Sequence, residues 1–170
     1  ISMTVKKIGD LSSSLAHAKP GDRIKADIGY GAFSHHLTPD SRYILIAAGV
    51  GITPIYAILK DLVRRDDDLD VTLIYCVHSE PDILFRDELE RWFSSRTQWN
   101  IHISCTSQPD WPGEQGRIDG DMVDRLCGEN LDATYFLCGP LMMTKSIERH
   151  LRRRRVARQK IRREHFVFLP

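Results

Sequence analysis

Cysteine is scarce in this sequence, and no pair of cysteines has metal-binding spacing. The four residues Cys76, Cys105, Cys127 and Cys138 form no CxxC or CxxH pattern, which argues against a zinc site. Three of them end apolar, strand-like runs, the usual position of reduced and buried thiols. We therefore expect no bound metal and a reducing compartment, the cytoplasm.

Long apolar runs and a dominant sign of charge are also absent. No run approaches the roughly 20 apolar residues that a membrane-spanning helix needs, so we expect no transmembrane segment in these 170 residues. The net charge of +1 argues against nucleic acid as the main partner. The Arg-rich stretch 149–163 has no interleaved aromatic residues, and we interpret it as a solvated helix face. An acidic redox partner or anionic headgroups would fit this face better than nucleic acid.

An alternation of short apolar strands and amphipathic helices begins at Tyr43. Such an alternation predicts right-handed βαβ units and a five-stranded parallel sheet covered on both faces. The predicted strands are Tyr43–Ala48, Val71–Val77, Ile101–Thr106, Ala133–Cys138 and His165–Leu169, and the predicted helices are Ile55–Arg65, Ile83–Arg96, Asp119–Cys127 and Leu141–Arg155. The fold class is therefore α/β, with a small doubly wound nucleotide-binding domain over residues 43–170.

Residues 1–42 do not share this rhythm. They predict two strands, Ile1–Lys7 and Arg23–Ile28, with a short helix from Ser12 to Ala18 between them. Two strands and one helix are too few for an independent core. We interpret this part as the C-terminal remnant of an antiparallel β-barrel domain, and we expect the chain to be a piece of a longer protein.

A glycine-containing turn joins the first predicted strand to the first helix. Gly49 and Gly51 allow a tight turn and a close approach of backbone amides to a ligand, while Thr53 suits the N-cap and Pro54 the first helical turn. These features predict a pyrophosphate site formed by Gly49, Val50, Gly51, Ile52, Thr53 and Pro54. The turn lacks the third glycine of the usual dinucleotide motif, so by itself it also fits a purely structural role. We expect Gly51→Val to weaken nucleotide binding and to leave the fold intact.

Four segments resemble motifs of the ferredoxin–NADP reductase superfamily, and they follow one another along the chain in the order that the superfamily has. Residues 47–54, AAGVGITP, resemble its AGGxGxTP pyrophosphate loop, and residues 138–143, CGPLMM, resemble its CGPxxM element beside the nicotinamide. Residues 111–118 are similar to its WxGxxGRI stretch, and residues 161–166 to its closing IxxExF. The resemblance implies a module that transfers a hydride from NAD(P)H to FAD, which then reduces a haem, ferric or iron–sulfur acceptor.

The resemblance also implies roles for individual residues around the two cofactors. Cys138 would border the nicotinamide, while Glu164 and Phe166 would approach the flavin and Phe166 would cover its ring. The remaining nicotinamide contacts would come from Gly139, Pro140 and Met143. Judged without the resemblance, Cys138 is a buried thiol at a strand end and Phe166 is a core residue.

The choice between NADH and NADPH depends on the residues after the second and third strands. NADPH-dependent members of the superfamily often place Ser and Arg after the third strand to bind the 2′-phosphate. Ser107 follows the third strand here without an adjacent Arg, and Glu80 follows the second. Since a carboxylate can bind ribose hydroxyls or repel a phosphate, we favour NADH.

Resemblance extends into the leading segment of the chain. Residues 9–15 are similar to the GxxSxxL turn that holds the flavin pyrophosphate, which implies FAD contacts from Gly9, Ser12 and Ser13. Residues 27–33 resemble the DGPYGxF stretch, with Ile28 and Gly29 in place of its Gly and Pro. The stretch 5–15 is most similar to the ferric reductases and NADPH oxidases, whose reductase module lies below a membrane domain. A location on the cytoplasmic side of a membrane is therefore implied for a membrane-bound parent.

Two alternative functions stay open at this stage. One is the reductase component of a soluble oxygenase, and the other is a regulatory nucleotide-binding module without redox activity. The adjacent His35 and His36 have no third ligand nearby in sequence, so they predict a surface turn rather than a metal site.

Overall fold

The computed structural model describes residues 3–7, 9–25, 31–65, 68–128 and 131–164. Contacts divide the chain into two compact units, residues 1–32 and residues 33–170. The predicted division at residue 42 between a barrel remnant and a nucleotide-binding domain stays a prediction.

The first unit contains one short helix, α1, at Asp10–Leu15. This helix begins two residues before the start of the predicted Ser12–Ala18 helix and ends three residues before the end of that helix. Residues 3–7 and 23–25, the described parts of the two predicted strands, have no regular secondary structure. The strand prediction is therefore wrong for these residues. A strand needs a partner for its backbone hydrogen bonds, and no described segment pairs with either of them.

A parallel sheet of six strands in the order β4-β3-β2-β1-β5-β6 forms the centre of the second unit. Its strands are β1 (Arg42–Ala48), β2 (Asp70–Val77), β3 (Trp99–Cys105), β4 (Glu114–Gln115), β5 (Thr134–Cys138) and β6 (Ile161–Glu164). Its helices are α2 (Ile52–Arg65), α3 (Arg86–Ser94), α4 (Gly120–Cys127) and α5 (Leu141–Arg153). The predicted α/β class with a parallel, doubly wound sheet is confirmed.

Three strands differ from the prediction, and β3 begins two residues before the predicted Ile101–Thr106 strand. The additional strand β4 contains only two residues, which pair with Ser104 and Cys105 of β3 and are too few to produce a periodic pattern. The last strand begins at Ile161, whereas the predicted strand His165–Leu169 lies outside the described residues.

Helices cover both faces of the sheet, which explains the apolar runs of its central strands. On one face, Leu45 and Leu73 pack with Leu59 of α2 and Leu89 of α3. The other face joins alternate strand residues to α4 and α5, including Ile44, Ile46, Leu137, Val123 and Ile147. β5 is buried along its whole length and β1 in all but its two end residues, as is typical of strands covered on both faces.

The position of β1 creates a crevice at the C-terminal edge of the sheet. β1 pairs with β2 on one side and with β5 on the other, and the helices that follow β1 and β5 pack on opposite faces. The two loops therefore diverge at the point where the strand order reverses, which is where ligands bind in open α/β sheets.

The longest described helix, α2, has 14 residues. No helix among the described segments is both long and apolar enough to cross a membrane.

Candidate nucleotide-binding site

The loop after β1 forms a short 3₁₀ turn, Gly49–Gly51, that continues directly into α2. Gly49 is exposed and has a φ of 53°, a left-handed conformation that glycine adopts without steric cost. A β-carbon at this position would have no heavy atom within 4 Å. Gly49 is therefore required by its backbone angle, and the space beside it is open.

Gly51 is required for a different reason, a contact with the end of β5. It is buried, and a β-carbon would lie 2.7 Å from the carbonyl carbon of Cys138 and 3.0 Å from the Gly139 nitrogen. Both neighbours are backbone atoms, which cannot move aside as the end of a flexible side chain can. This contact argues against the expectation that Gly51→Val leaves the fold intact, because any side chain here must displace the loop or the end of β5.

Gly139 completes the contact between the two loops. Its φ is 157°, and a β-carbon would lie 2.8 Å from Cε of Met143 and 3.1 Å from Cβ of Ala48. The last residue of β1, the end of β5 and the first turn of α5 thus meet around one glycine. Two segments that are far apart in sequence, 47–54 and 138–143, form one continuous surface.

The beginning of α2 has the properties of an anion site. The first turn of a helix has backbone N–H groups without helical partners, and the helix dipole places positive charge there. Pro54 lies in this first turn, as predicted. Thr53 is the second residue of α2 rather than its N-cap, because the 3₁₀ turn continues into the helix and the N–H of Ile52 already donates to the carbonyl of Gly49.

Cys138 and Glu164 lie side by side at the edge of the sheet. Cys138 ends β5 and pairs in register with Ala47 on one side and Glu164 on the other. Burial raises the pKa of the fully buried Cys138 thiol to about 12, and the Glu164 carboxylate acts in the same direction. The thiol is therefore neutral at physiological pH. Phe166 lies outside the described residues, and the catalytic roles of all three stay predictions.

The ends of β2 and β3 form a second polar region of the crevice. Ser107 is exposed, and its N–H donates to the carbonyl of His78 at 3.0 Å. The N–H of Glu80 donates to Oε1 of Gln108 at 2.9 Å. Backbone and side-chain hydrogen bonds thus connect the segments that follow the two strands.

Arg86 is a member of this region that the sequence analysis missed. It begins α3, pairs with the carboxylate of Glu80, and donates from Nε to Glu90 at 2.7 Å. The hydrogen bond from Arg86 lowers the pKa of Glu80. Glu80 is thus ionised and neutralised by a neighbour. The spacing of six residues between Glu80 and Arg86 does not predict a contact, because the contact depends on the turn between β2 and α3.

In the first unit, the described residues of the predicted flavin turn surround the start of α1. Oγ of Ser12 accepts a hydrogen bond from the N–H of Gly9 at 2.9 Å and donates to its carbonyl at 3.0 Å. The carbonyl of Ser13 accepts from Nδ1 of His17 at 2.9 Å. The predicted FAD contacts of Gly9, Ser12 and Ser13 stay predictions, and residues 27–30 lie outside the described residues.

The phosphate loop and the Cys138–Met143 segment both fall within the match to a known family. The sequence profile of the oxidoreductase NAD-binding domain matches residues 45–149. The chain belongs to this family. NADH-cytochrome b5 reductase 1 of Kluyveromyces lactis is 31% identical over 146 residues, which cover 84% of this chain and 52% of that protein. The chain spans about half the length of the curated relatives it matches.

Solved structures agree with the family assignment. The cytochrome b5 reductase domain of Ulva prolifera nitrate reductase is 28% identical, with a TM-score of 0.77 over 92% of this chain and 66% of that one. A ferredoxin NADP⁺ reductase from Neisseria gonorrhoeae with bound FAD and NADP shares the fold, with a TM-score of 0.78 at 20% identity, over 95% of this chain and 71% of that one. The resemblance to the ferredoxin–NADP reductase superfamily is confirmed. The finer likeness to ferric reductases and NADPH oxidases stays a prediction.

Proposed function

We propose that the chain is the nucleotide-binding part of an NAD(P)H-dependent flavoprotein reductase. The protein would transfer a hydride from NAD(P)H to FAD, and the electrons would then pass singly to an acceptor. The observation that carries this proposal is the contact of Gly51 with Cys138 and Gly139. This contact joins the start of α2, which would bind the diphosphate, to the segment that would border the nicotinamide.

Each part of this surface has a distinct task in the proposed reaction. The Gly49–Gly51 turn and the start of α2 bind the diphosphate through backbone amides. Cys138, Gly139, Pro140 and Met143 border the nicotinamide, and the neutral Cys138 thiol places no charge beside the ring. FAD, when bound, supplies the conversion from two-electron to one-electron chemistry, whereas the protein positions the rings and excludes water. Glu164, next to Cys138 in the sheet, would face the flavin.

NADH is the nicotinamide cofactor that we propose. A 2′-phosphate needs an available cation, and Arg86 is already paired with the carboxylates of Glu80 and Glu90. Exposed Ser107 provides a hydroxyl for the ribose. The Kluyveromyces relative, named an NADH-cytochrome b5 reductase, agrees with this preference.

A haem protein of the cytochrome b5 type is the acceptor that we propose. This choice follows the names of the relatives, and the cations in the last turns of α5 would suit an acidic protein partner. We place the reaction in the cytoplasm, on the cytoplasmic side of a membrane for a membrane-bound parent. The free and buried state of Cys76, Cys105, Cys127 and Cys138 suits this compartment.

Stopped-flow spectroscopy tests the reductase proposal. The protein that carries this chain with a flavin-binding domain is loaded with FAD and mixed with NADH without oxygen. We expect the visible absorbance of the oxidised flavin to disappear, faster with NADH than with NADPH. NADH binding without flavin reduction would overturn the proposal and favour the regulatory module. Reduction of an iron–sulfur protein but not of cytochrome b5 would favour a soluble oxygenase reductase.

A further inference from the structure

Two imidazoles and one carboxylate converge where residues 34–38 pack on α2. His35 and His36 lie on a 3₁₀ helix, His35–Leu37, whose start is fixed by Ser34, because Oγ of Ser34 accepts from the N–H of His36. Oδ2 of Asp61 lies 3.0 Å from Nε2 of His35 and 3.2 Å from Nε2 of His36. The surface turn predicted from sequence is wrong for His35, which is 3% exposed.

The atoms at the centre of this cluster are buried. Nε2 of His35 and Oδ2 of Asp61 are both inaccessible to solvent, and they face each other across 3.0 Å. Buried polar atoms need a partner. A proton on Nε2 of His35 supplies one, and a metal ion bound by both atoms supplies another that also engages the second imidazole.

The chemistry of the donors suits a transition-metal ion. The donors are the buried imidazole of His35, the exposed imidazole of His36 and the carboxylate of Asp61. Imidazole nitrogens and a carboxylate oxygen are ligands that Zn²⁺ uses in proteins.

The spacing of the donors also suits such an ion. Bonds of about 2.0–2.2 Å in a tetrahedral site place neighbouring ligand atoms roughly 3.3–3.6 Å apart. The three donor atoms here all lie within 4.8 Å of one another, and two of the separations are 3.0 and 3.2 Å. These two separations are within a few tenths of an ångström of those in such a site.

We propose that His35, His36 and Asp61 bind one divalent first-row transition ion such as Zn²⁺, with a fourth position open to solvent. The ion would tie residues 34–38 to α2, the helix whose first turn forms the proposed diphosphate site. This proposal does not depend on the reductase function, because none of the three ligands is among the residues assigned to the nucleotide site.

Arg65 is the competitor of the ion. Its Nε lies 3.3 Å from Oδ2 of Asp61, and its Nη2 donates to Nδ1 of His36 at 2.6 Å. The guanidinium therefore occupies the carboxylate that the ion needs and favours the tautomer in which Nε2 of His36 carries the proton. Metal binding requires the opposite tautomer, with the proton on Nδ1. Arg65→Gln removes the cation and provides an amide oxygen that accepts from Nδ1–H, so this variant should bind the ion more tightly.

Titration of the full chain with Co²⁺ and Zn²⁺ tests the site. Co²⁺ reports tetrahedral coordination through its visible ligand-field bands, and isothermal calorimetry measures Zn²⁺ affinity. We expect one ion per chain, a loss of affinity of about tenfold or more in His36→Gln and in Asp61→Asn, and a gain of about tenfold in Arg65→Gln. His17→Gln, a change at an exposed histidine in the first unit, is the matched control and should change nothing.

His36→Gln is the decisive variant because the His36 side chain is 53% exposed and its loss leaves no core cavity. Circular dichroism confirms that the variant is folded before it is titrated. Absence of stoichiometric binding by the unmodified chain would overturn the proposal. Binding that survives His36→Gln, or an affinity that Arg65→Gln leaves unchanged, would overturn it equally.

Discussion

The two ends of the nucleotide crevice are built from different kinds of contact. At the ends of β1 and β5, backbone meets backbone, because Gly51 packs on Cys138 and Gly139. At the ends of β2 and β3, accessible side chains pair with one another, as Glu80 and Arg86 do. Substitutions at the first end are thus expected to disturb the folded sheet, whereas substitutions at the second end are expected to leave it intact. Affinity for the diphosphate and preference between nucleotides are therefore expected to respond to different substitutions.

The largest effect is expected from Gly51→Ala. The added β-carbon overlaps the backbone of Cys138, so β5 or the loop must move, and we expect the free energy of unfolding to fall by about 3 kcal/mol. Urea denaturation followed by circular dichroism measures this change. A decrease below about 0.5 kcal/mol, within the range of ordinary surface substitutions, would show that the loop moves freely and that the two ends do not differ as described.

Gly49→Ala separates backbone strain from packing within the same turn. Alanine at a φ of 53° costs about 1–2 kcal/mol, but its methyl group meets no neighbour, so the loss of stability stays in that range. The same methyl group enters the space proposed for the diphosphate, and NADH affinity should fall by about tenfold or more. Calorimetry with NADH and urea denaturation measure the two effects.

Gly128→Ala is the matched control for this substitution. Gly128 has a φ of 72° and equally open surroundings, but it follows α4 rather than β1. Its ψ of −171° lies in a region that is essentially restricted to glycine, so Gly128→Ala should lose at least as much stability as Gly49→Ala and keep its NADH affinity. Equal NADH affinities in Gly49→Ala and Gly128→Ala would contradict the assignment of the loop.

The stability of the chain at alkaline pH depends on Cys138. Its pKa is raised from 9.0 to about 12 in the folded state, so above pH 9 the unfolded chain ionises the thiol while the folded chain keeps the proton. The contribution of this thiol to the free energy of unfolding is therefore fully present below pH 9. It is lost as the pH rises toward 12, at about 1.4 kcal/mol per pH unit.

Cys138→Ala should flatten that pH dependence. Urea denaturation between pH 8 and about 10.5 gives the slope, which is independent of the constant loss that the smaller side chain causes. Cys105→Ala, at the end of β3, is the comparison at a second strand end, where burial also raises the pKa of the thiol. An unchanged slope in Cys138→Ala would contradict the enclosed position of the thiol.

Much of the second unit could be predicted from sequence because its central strands β1, β2 and β5 are nearly continuous apolar runs. β1, β2 and β5 lie within one residue of their predicted ends. The predicted strands Ile1–Lys7 and Arg23–Ile28 failed over their described residues, 3–7 and 23–25, because a short segment by itself cannot show whether a partner strand is present.

The sequence suggested the residues of both loops, but it could not show the contact that joins them. Sequence indicated that Gly51 must be glycine, but its contact with Cys138 is a tertiary fact. Arg86 and Asp61 escaped detection similarly. Each meets its partners through a turn or a helix that places it next to residues from another segment.

The smallest effect is expected at the exposed end of the crevice, from Glu80→Gln. The change removes one of the two carboxylates that neutralise Arg86 and leaves Glu90, 2.7 Å from its Nε. A less neutralised guanidinium attracts a 2′-phosphate more strongly, so the ratio of NADPH to NADH affinity should rise by about twofold to fivefold, the range of exposed ion pairs. The rise should shrink at high salt, because exposed charges are screened.

Glu90→Gln is the matched control, since it leaves the Glu80–Arg86 pair in place and should change the ratio less. Calorimetry with both nucleotides at two salt concentrations measures the ratio, and urea denaturation should find both variants as stable as the unmodified chain. A loss of stability comparable to that of Gly51→Ala would break the distinction between the two ends, because it would mean that the pairing at β2 and β3 also holds the sheet. A ratio that is unchanged in Glu80→Gln would instead place the 2′-phosphate away from Arg86 and leave Ser107 as the residue that discriminates between the nucleotides.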